Sequence, residues 1–126
     1  MKKQNALFDS STWIELFNGS PRAKRVGDYE TSRIYSSTIA LYEVYRKYLT
    51  ADPETALRAV DLVRANSTPV PVSAEVALRG AELRVLHRKL SMANALILAT
   101  AEAHRCELVT GDRGFEGVRE VPVVFI

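Results

Sequence analysis

The sequence predicts an α/β fold, a three-layer sandwich built around a five-stranded parallel sheet. Short apolar runs of strand length alternate with longer helical stretches, which is typical of parallel pairing. Two of these runs, Ala6–Phe8 and Leu108–Val109, are followed by the carboxylates Asp9 and Asp112. Right-handed crossovers favour the strand order 3-2-1-4-5, which makes strands 1 and 4 neighbours where the order reverses. Asp9 and Asp112 should then face each other across one crevice.

Five segments have the composition of buried or edge strands. The third contains two prolines, which remove hydrogen-bond donors and therefore place it at an edge of the sheet. The favoured order 3-2-1-4-5 also places the third strand at one edge, and it places the fifth strand at the other. The expected strands are Leu7–Phe8, Arg33–Ser36, Pro69–Val72, Glu107–Thr110 and Val121–Phe125.

Polar capping residues predict where the helices begin. The first helix should start at Ser11 or Thr12, carry Trp13, Leu16 and Phe17 on one face, and stop at residues 18–21, where Pro21 could open another helix. The remaining helices should run from Ser37 or Thr38 to about Leu49, from Asp52–Pro53 to about Asn66, from Ser73 to a break near residues 88–90, and from Ser91 to near His104, with a turn or short helix at residues 113–116.

Composition limits the class of protein. The chain has 126 residues, 47% hydrophobic and 25% charged, with a net charge of +2, so we expect a single globular domain over residues 1–126. Its one cysteine, Cys106, excludes a disulfide framework and a thiolate metal site, and should be a small buried hydrophobe. The basic residues 1–5 precede an apolar run too short for a signal peptide or membrane span, which predicts a soluble, cytoplasmic protein without a membrane partner.

Three acidic residues point to metal chemistry. Asp9 and Asp112 would repel each other unless a cation lay between them, and a hard divalent cation bound by oxygen is the simplest such partner. Glu43, one turn into the second helix, should point to the same crevice. Taken singly, each aspartate could merely cap a helix or turn, and Glu43 could pair with Arg46 or Lys47. Together they predict a metal-dependent domain that cuts phosphodiesters.

Asn94 is the fourth candidate, three residues after the capping Ser91. An amide offers a metal one neutral oxygen and no charge. Because its helix leads into strand 4, we expect the helix N-terminus on the side away from that strand's carboxyl edge, unless a preceding turn tilts it. Periodicity leaves open whether residue 94 reaches the crevice.

Four segments together resemble the PIN-domain family and, within it, the VapC-type toxin ribonucleases. The resemblance implies a 3-2-1-4-5 sheet, Mg²⁺ or Mn²⁺, hydrolytic endonuclease cleavage of RNA, a homodimer and a cognate VapB-type antitoxin. It also implies that Asp9, Glu43, Asn94 and Asp112 are the catalytic and metal-binding positions. The matching segments are residues 7–11, 37–44, 91–101 and 108–115.

The chain departs from the family at Asn94, where the family has Asp. The exchange is isosteric and removes one charge, so this form should be weakened or inactive. A deliberate inactivation and a natural decay or specialisation both explain it; we favour the first because the neighbouring residues keep the family pattern. The rival function is a degenerate domain that binds RNA or protein without catalysis.

The remaining candidates are supporting residues. The Thr110 hydroxyl should form a hydrogen bond to a metal-binding carboxylate and orient it, although Thr110 could simply end a strand. Several basic residues, among them Arg22 and Arg25, could supply RNA phosphate contacts, and most of them are expected on solvated faces. Arg46 and Arg113 are the better candidates because they lie closest to the motif residues. His87 and His104 lie in helical stretches without a partner at a suitable spacing, so neither is expected to be catalytic or to bind a metal.

Two further expectations concern partners and an alternative fold class. An antitoxin segment should lie in a groove between the first helix and the helix that carries Tyr42, Tyr45 and Tyr48. A phospho-receiver domain is disfavoured because strand 3 ends in Val72-Ser73 without an aspartate, and no lysine follows Lys89.

Overall fold

The computed structural model describes residues 5–29 and 33–126, and its sheet confirms the predicted class and order. All four strand pairings are parallel, and the order is β3-β2-β1-β4-β5. Residues 1–4 of the basic N-terminal stretch lie outside the described part. The strands are β1 (Ala6–Phe8), β2 (Ile34–Ser37), β3 (Thr68–Val70), β4 (Glu107–Thr110) and β5 (Val123–Phe125).

Four of the five predicted helix caps are confirmed, at Ser37, Asp52, Ser73 and Ser91. The first was wrong: Asp9, rather than Ser11 or Thr12, caps the first helix because its carboxylate accepts the backbone N–H of Thr12. The helices are α1 (Ser10–Phe17), α2 (Thr38–Leu49), α3 (Pro53–Asn66), α4 (Ala74–Leu86) and α5 (Met92–Ala103), with 3-10 helices at Pro21–Tyr29 and Arg113–Phe115.

Alternation along the strands divides the core between the two faces of the sheet. Leu7 and Leu108 point to one face and join the apolar cluster that includes residues of α4 and α5. Phe8 and Val109 point to the other and join residues of α1, α2 and α3. The three-layer arrangement follows, because each face of a parallel sheet must be covered.

The edge strands are shorter than expected, but their positions are confirmed. β3 lies at one edge, as its prolines predicted, and stops at Val70; β5 lies at the other and begins at Val123. Cys106 is buried in the α4–α5 cluster, as expected of a small hydrophobe. Within residues 5–29 and 33–126, no helix is both long and apolar enough to cross a membrane.

Candidate functional site

The carboxyl ends of β1 and β4 meet at one point of the sheet. In the register of this pair, Leu7 lies beside Leu108 and Phe8 beside Val109, and the backbone N–H of Asp9 donates to the carbonyl of Val109 at 3.3 Å. The residues that follow the two strands are therefore adjacent, although about 100 residues separate them in the chain. This junction is the crevice that the strand order predicted.

Asp9 is almost wholly enclosed, with 3% of its surface exposed. One carboxylate oxygen accepts the Ser11 hydroxyl at 2.6 Å and the Thr12 N–H at 3.2 Å, and the other accepts the Thr110 hydroxyl at 2.5 Å. Burial raises the pKa of Asp9, and these hydrogen bonds lower it only in part. Asp9 is therefore both a helix cap and an acid of the crevice, so the two interpretations of this residue are compatible.

Two hydroxyl groups join the turn after β4 to the start of α1. Thr110 is fully buried; it donates to Asp9 and accepts the backbone N–H of Asp112 at 2.9 Å. Ser11 donates to Asp9 and accepts the backbone N–H of Gly111 at 2.9 Å. The contacts of Thr110 are those expected of an orienting hydroxyl. From the sequence, Ser11 was expected only as a cap; its place two residues after a crevice acid was the signal for a wider role.

Glu43 points to the same crevice from α2. It is half-buried, and the Ser10 hydroxyl donates to its Oε1 at 3.1 Å. Burial raises its pKa, the charges of Asp9 and Asp112 raise it further, and the charge of Arg46 lowers it. Mutual electrostatic influence of this kind requires the carboxylates to be near one another. Sequence reasoning missed Ser10, whose contact with Glu43 spans 33 positions.

Asn94 reaches the crevice. Its Nδ2 donates to Asp112 Oδ2 at 3.0 Å, while Asp112 Oδ1 accepts the backbone N–H of Gly114 at 2.8 Å. The expected position of this helix N-terminus was therefore wrong. α5 runs back from the carboxyl end of β4 towards the start of that strand, so its first turn lies beside the turn after β4 without any special tilt.

The donor chemistry of the crevice fits Mg²⁺ or Mn²⁺, since carboxylate and amide oxygens are the ligands that hard cations prefer. As the side chains stand, no group of three or more His, Cys, Asp or Glu residues within 5–29 and 33–126 is close enough together to hold a metal ion. Uncompensated carboxylates repel one another, and the Asn94 amide engages one oxygen of Asp112.

The two arginines proposed for RNA lie on different sides of the crevice. Arg46 is exposed on α2, and its charge acts on Glu43. The guanidinium carbon of Arg113 lies 4.7 Å from the ring centroid of Phe125. Both histidines have structural contacts instead: His87 pairs with Glu120 at 2.9 Å, and the His104 ring lies against Tyr35.

An apolar groove lies beside α1. A cavity of about 480 Å³ opens between α1 and α3, and an adjoining one of about 370 Å³ extends it past Tyr48. The expected second wall was only partly right. Tyr48 lines the groove, but the other residues of that wall, including Leu62, belong to α3. The side chain of Tyr42 is largely exposed, and Tyr45 lines neither cavity.

Comparisons with known proteins agree with this fold. A family profile described as PIN domain matches residues 6–121. A solved toxin–antitoxin complex from Klebsiella pneumoniae is 31% identical, with 92% of this chain and 94% of that chain covered and a TM-score of 0.77. Rickettsia felis VapBC2, bound to a DNA fragment from its promoter, is 18% identical, with 94% and 96% covered and a TM-score of 0.80.

A third structure is Mycobacterium tuberculosis VapC20, described as a sarcin-ricin loop cleaving toxin. It is 21% identical, with 93% of this chain and 98% of that chain covered and a TM-score of 0.73. Comparison with curated proteins produced no match. The family profile spans nearly all of the chain, and the Klebsiella relative shares almost a third of its residues over most of both lengths. The chain therefore belongs to the PIN-domain family, with chains of VapBC toxin–antitoxin complexes among its structural relatives.

Proposed function

We propose that this protein is the VapC-type toxin of a toxin–antitoxin pair, a metal-dependent endoribonuclease whose present form is weakened by Asn94. The observation that carries the proposal is the convergence of Asp9, Glu43 and Asp112 on one crevice. Ser10, which follows Asp9 in the chain, donates to Glu43 at 3.1 Å. The Thr110 hydroxyl donates to Asp9 and accepts the backbone N–H of Asp112. Family membership supports the reaction class, and the named relatives support the toxin assignment. Residues 1–126 act as one domain in this proposal.

In the proposed reaction Asp9, Glu43 and Asp112 would hold a Mg²⁺ or Mn²⁺ ion, and that ion would lower the pKa of a water molecule and stabilise charge on the phosphate. The chain's own residues prepare the place for it. Thr110 and Ser11 hold the two oxygens of Asp9 from behind, and Ser10 orients Glu43. These contacts limit the rotamers of both acids, so their oxygens are positioned before a ligand arrives.

Asn94 weakens this site in two ways. It removes one negative charge, and its amide N–H engages the Asp112 oxygen that would face a cation. An aspartate at this position would instead add a charged oxygen ligand. Restoring it should raise RNA cleavage by at least about 100-fold, or roughly 3 kcal/mol in barrier.

The test compares Asn94→Asp with this chain in a nuclease assay on a labelled single-stranded RNA with Mg²⁺ and, separately, Mn²⁺. Asn18→Asp is the matched control, because it adds the same charge outside the crevice. Expression of Asn94→Asp should also slow growth. An Asn94→Asp protein as inert and harmless as the parent would remove the nuclease proposal for this chain.

One observation favours the rival function, a PIN domain that binds RNA or protein without cutting. The Asn94 amide donates to Asp112 Oδ2 at 3.0 Å, so a neutral side chain engages one carboxylate oxygen of the crevice. A rival of this kind predicts RNA binding by both the parent and Asn94→Asp, without cleavage by either.

The partner in this proposal is a VapB-type antitoxin, which would place an apolar segment in the α1–α3 groove. Leu62 and Leu57 are both half-exposed on α3, but only Leu62 lines the groove. Leu62→Asp should therefore reduce co-purification with the antitoxin at least about tenfold, since it puts a charge into an apolar contact. Leu57→Asp should leave the complex intact, and equal behaviour of the two variants would place the antitoxin elsewhere.

We also propose a homodimer formed through the α4–α5 face. Large apolar side chains are exposed on both helices, and exposed apolar surface of this kind marks association surfaces. They are Leu78, Val85 and Leu86 on α4 and Met92 at the start of α5. Sedimentation should show a dimer for the parent and a monomer for Leu86→Asp, with Leu57→Asp as the control. A monomeric parent at micromolar concentration would exclude the dimer.

A further inference from the structure

Three arginines surround the last two residues of the chain at the β5 edge of the sheet. Arg22 donates through Nη2 at 2.8 Å and Nε at 3.2 Å to the backbone oxygen of Ile126, and Arg25 donates through Nη1 at 2.7 Å to that of Phe125. Arg113 stacks on the Phe125 ring. We call Arg22, Arg25 and Arg113 the arginine rim. The first two come from the Pro21–Tyr29 3-10 helix, far in sequence from β5.

The arginine rim borders the acidic crevice. Arg113 follows Asp112 directly in the chain, and Arg22 Nη2 is 3.4 Å from the position that a Cβ on Gly111 would occupy. Two guanidinium groups therefore flank the Thr110–Asp112 turn that carries one crevice acid. Positive charges fixed beside a cluster of carboxylates attract an anionic ligand to a position where the carboxylates do not repel it strongly.

The arginine rim also keeps hydrogen-bonding capacity for a ligand. A guanidinium has five N–H donors, and the backbone contacts use two from Arg22 and one from Arg25. The side chains of Arg22 and Arg113 are 50% and 66% exposed, and their acidic neighbours Glu15 and Glu116 are 3.8 Å away. Such long, solvent-exposed ion pairs are weak, so a phosphate could replace them.

We propose that the arginine rim binds the phosphates of single-stranded RNA beside the crevice, and so sets the path along which the substrate lies over β5. This inference rests on the proposed function of the same crevice. Planar guanidinium groups match phosphate oxygens in a two-pronged geometry. Backbone hydrogen bonds hold Arg22 and Arg25 in place before RNA binds, and the Phe125 ring holds Arg113. The apolar groove that would take the antitoxin is bounded by α1 and α3 and contains no member of the rim.

The experiment measures fluorescence anisotropy of a labelled single-stranded RNA oligonucleotide with this chain in EDTA, over a range of salt concentrations. Arg22→Gln and Arg113→Gln should each weaken binding about fivefold to tenfold and reduce the slope of log affinity against log salt by about 0.7, the value expected for one lost phosphate contact on a single strand. Arg64→Gln, an exposed arginine on α3, is the matched control and should bind like the parent.

Arg113→Gln separates binding from a structural role, because Arg113 holds β5 only through the ring contact whereas Arg22 anchors its backbone. Thermal midpoints are recorded for every variant. The proposal is overturned if the parent does not bind RNA, if Arg113→Gln binds with an unchanged salt slope, or if the variants lose antitoxin but keep RNA.

The nuclease assay on Asn94→Asp is independent of this test. Rim-dependent RNA binding without cleavage by Asn94→Asp would support the arginine rim and reject the nuclease proposal. Cleavage by Asn94→Asp, together with RNA binding that does not change when the arginine rim is substituted, would support the nuclease proposal and reject the arginine rim.

Discussion

The two sides of the crevice contain the same residue type at the same structural position, but in opposite environments. Asp9, after β1, is buried, caps α1 and accepts hydrogen bonds from Ser11, Thr12 and Thr110. Asp112, after β4, lies in an exposed turn, where it accepts from Gly114 and Asn94. Of the two acids that follow these neighbouring parallel strands, Asp9 is therefore part of the buried structure, and Asp112 is a surface residue.

This difference indicates how function and stability are coupled in the site. Replacing Asp9 would remove a proposed metal ligand and would also leave buried donors without a partner, so the two effects cannot be separated on the β1 side. On the β4 side, substitutions of Asp112 and Asn94 should affect folding less than those of Asp9. A substitution that removes the proposed activity and leaves the protein folded is therefore expected on the β4 side, where Asn94 lies.

The largest expected effect tests this asymmetry through stability. Asp9→Ala should lower the free energy of unfolding by about 2–4 kcal/mol, because the cap of α1 is lost and the hydroxyls of Ser11 and Thr110 lose their acceptor. Asp112→Ala is the matched control and should cost less than about 1 kcal/mol, since its contacts are exposed. Urea denaturation of both variants measures the difference; equal losses would show that the two sides are energetically alike.

A smaller effect is expected for Asn94→Asp in EDTA. The variant exchanges an amide–carboxylate hydrogen bond for two carboxylates in contact, which should lower the free energy of unfolding by about 1–2 kcal/mol. Millimolar Mg²⁺ should restore the loss, because a ligand that binds only the folded state stabilises it. Urea midpoints with and without Mg²⁺ check this, and a response to Mg²⁺ no greater than that of the parent would contradict it.

The smallest effect concerns pH and Glu43. Its pKa in the folded protein is raised above the ordinary 4.5, so the folded state holds this proton more tightly than the unfolded state. Ionisation therefore costs stability as the pH rises from about the ordinary value through the folded one. Glu43→Gln should match the parent near pH 4 and be more stable at pH 7.

Urea midpoints at several pH values in metal-free buffer measure this difference, with Glu75→Gln on α4 as the control. An advantage of Glu43→Gln that is as large at pH 4 as at pH 7 would show that repulsion within the crevice is not its cause.

Much of the fold could be predicted because its signals are local. The order of strands and helices follows from apolar runs and caps such as Ser37, Asp52 and Ser91, each of which acts within three or four residues. Parallel strands joined by helices then allow few topologies. The crevice acids Asp9 and Asp112 were predictable for the same reason, since a carboxylate that directly follows a strand needs no long-range information to be noticed.

The contacts that complete the site were decided by the tertiary structure. Ser10 meets Glu43, Asn94 meets Asp112 and Arg22 meets Ile126 across 33, 18 and 104 positions. Periodicity states which face of a helix is apolar, but not where its ends lie relative to another strand, and for that reason the start of α5 was misplaced. The chain by itself therefore determined which acids gather at the β1–β4 junction. Packing of α2, α5 and the Pro21–Tyr29 helix against the sheet decided which side chains hold those acids and which border them.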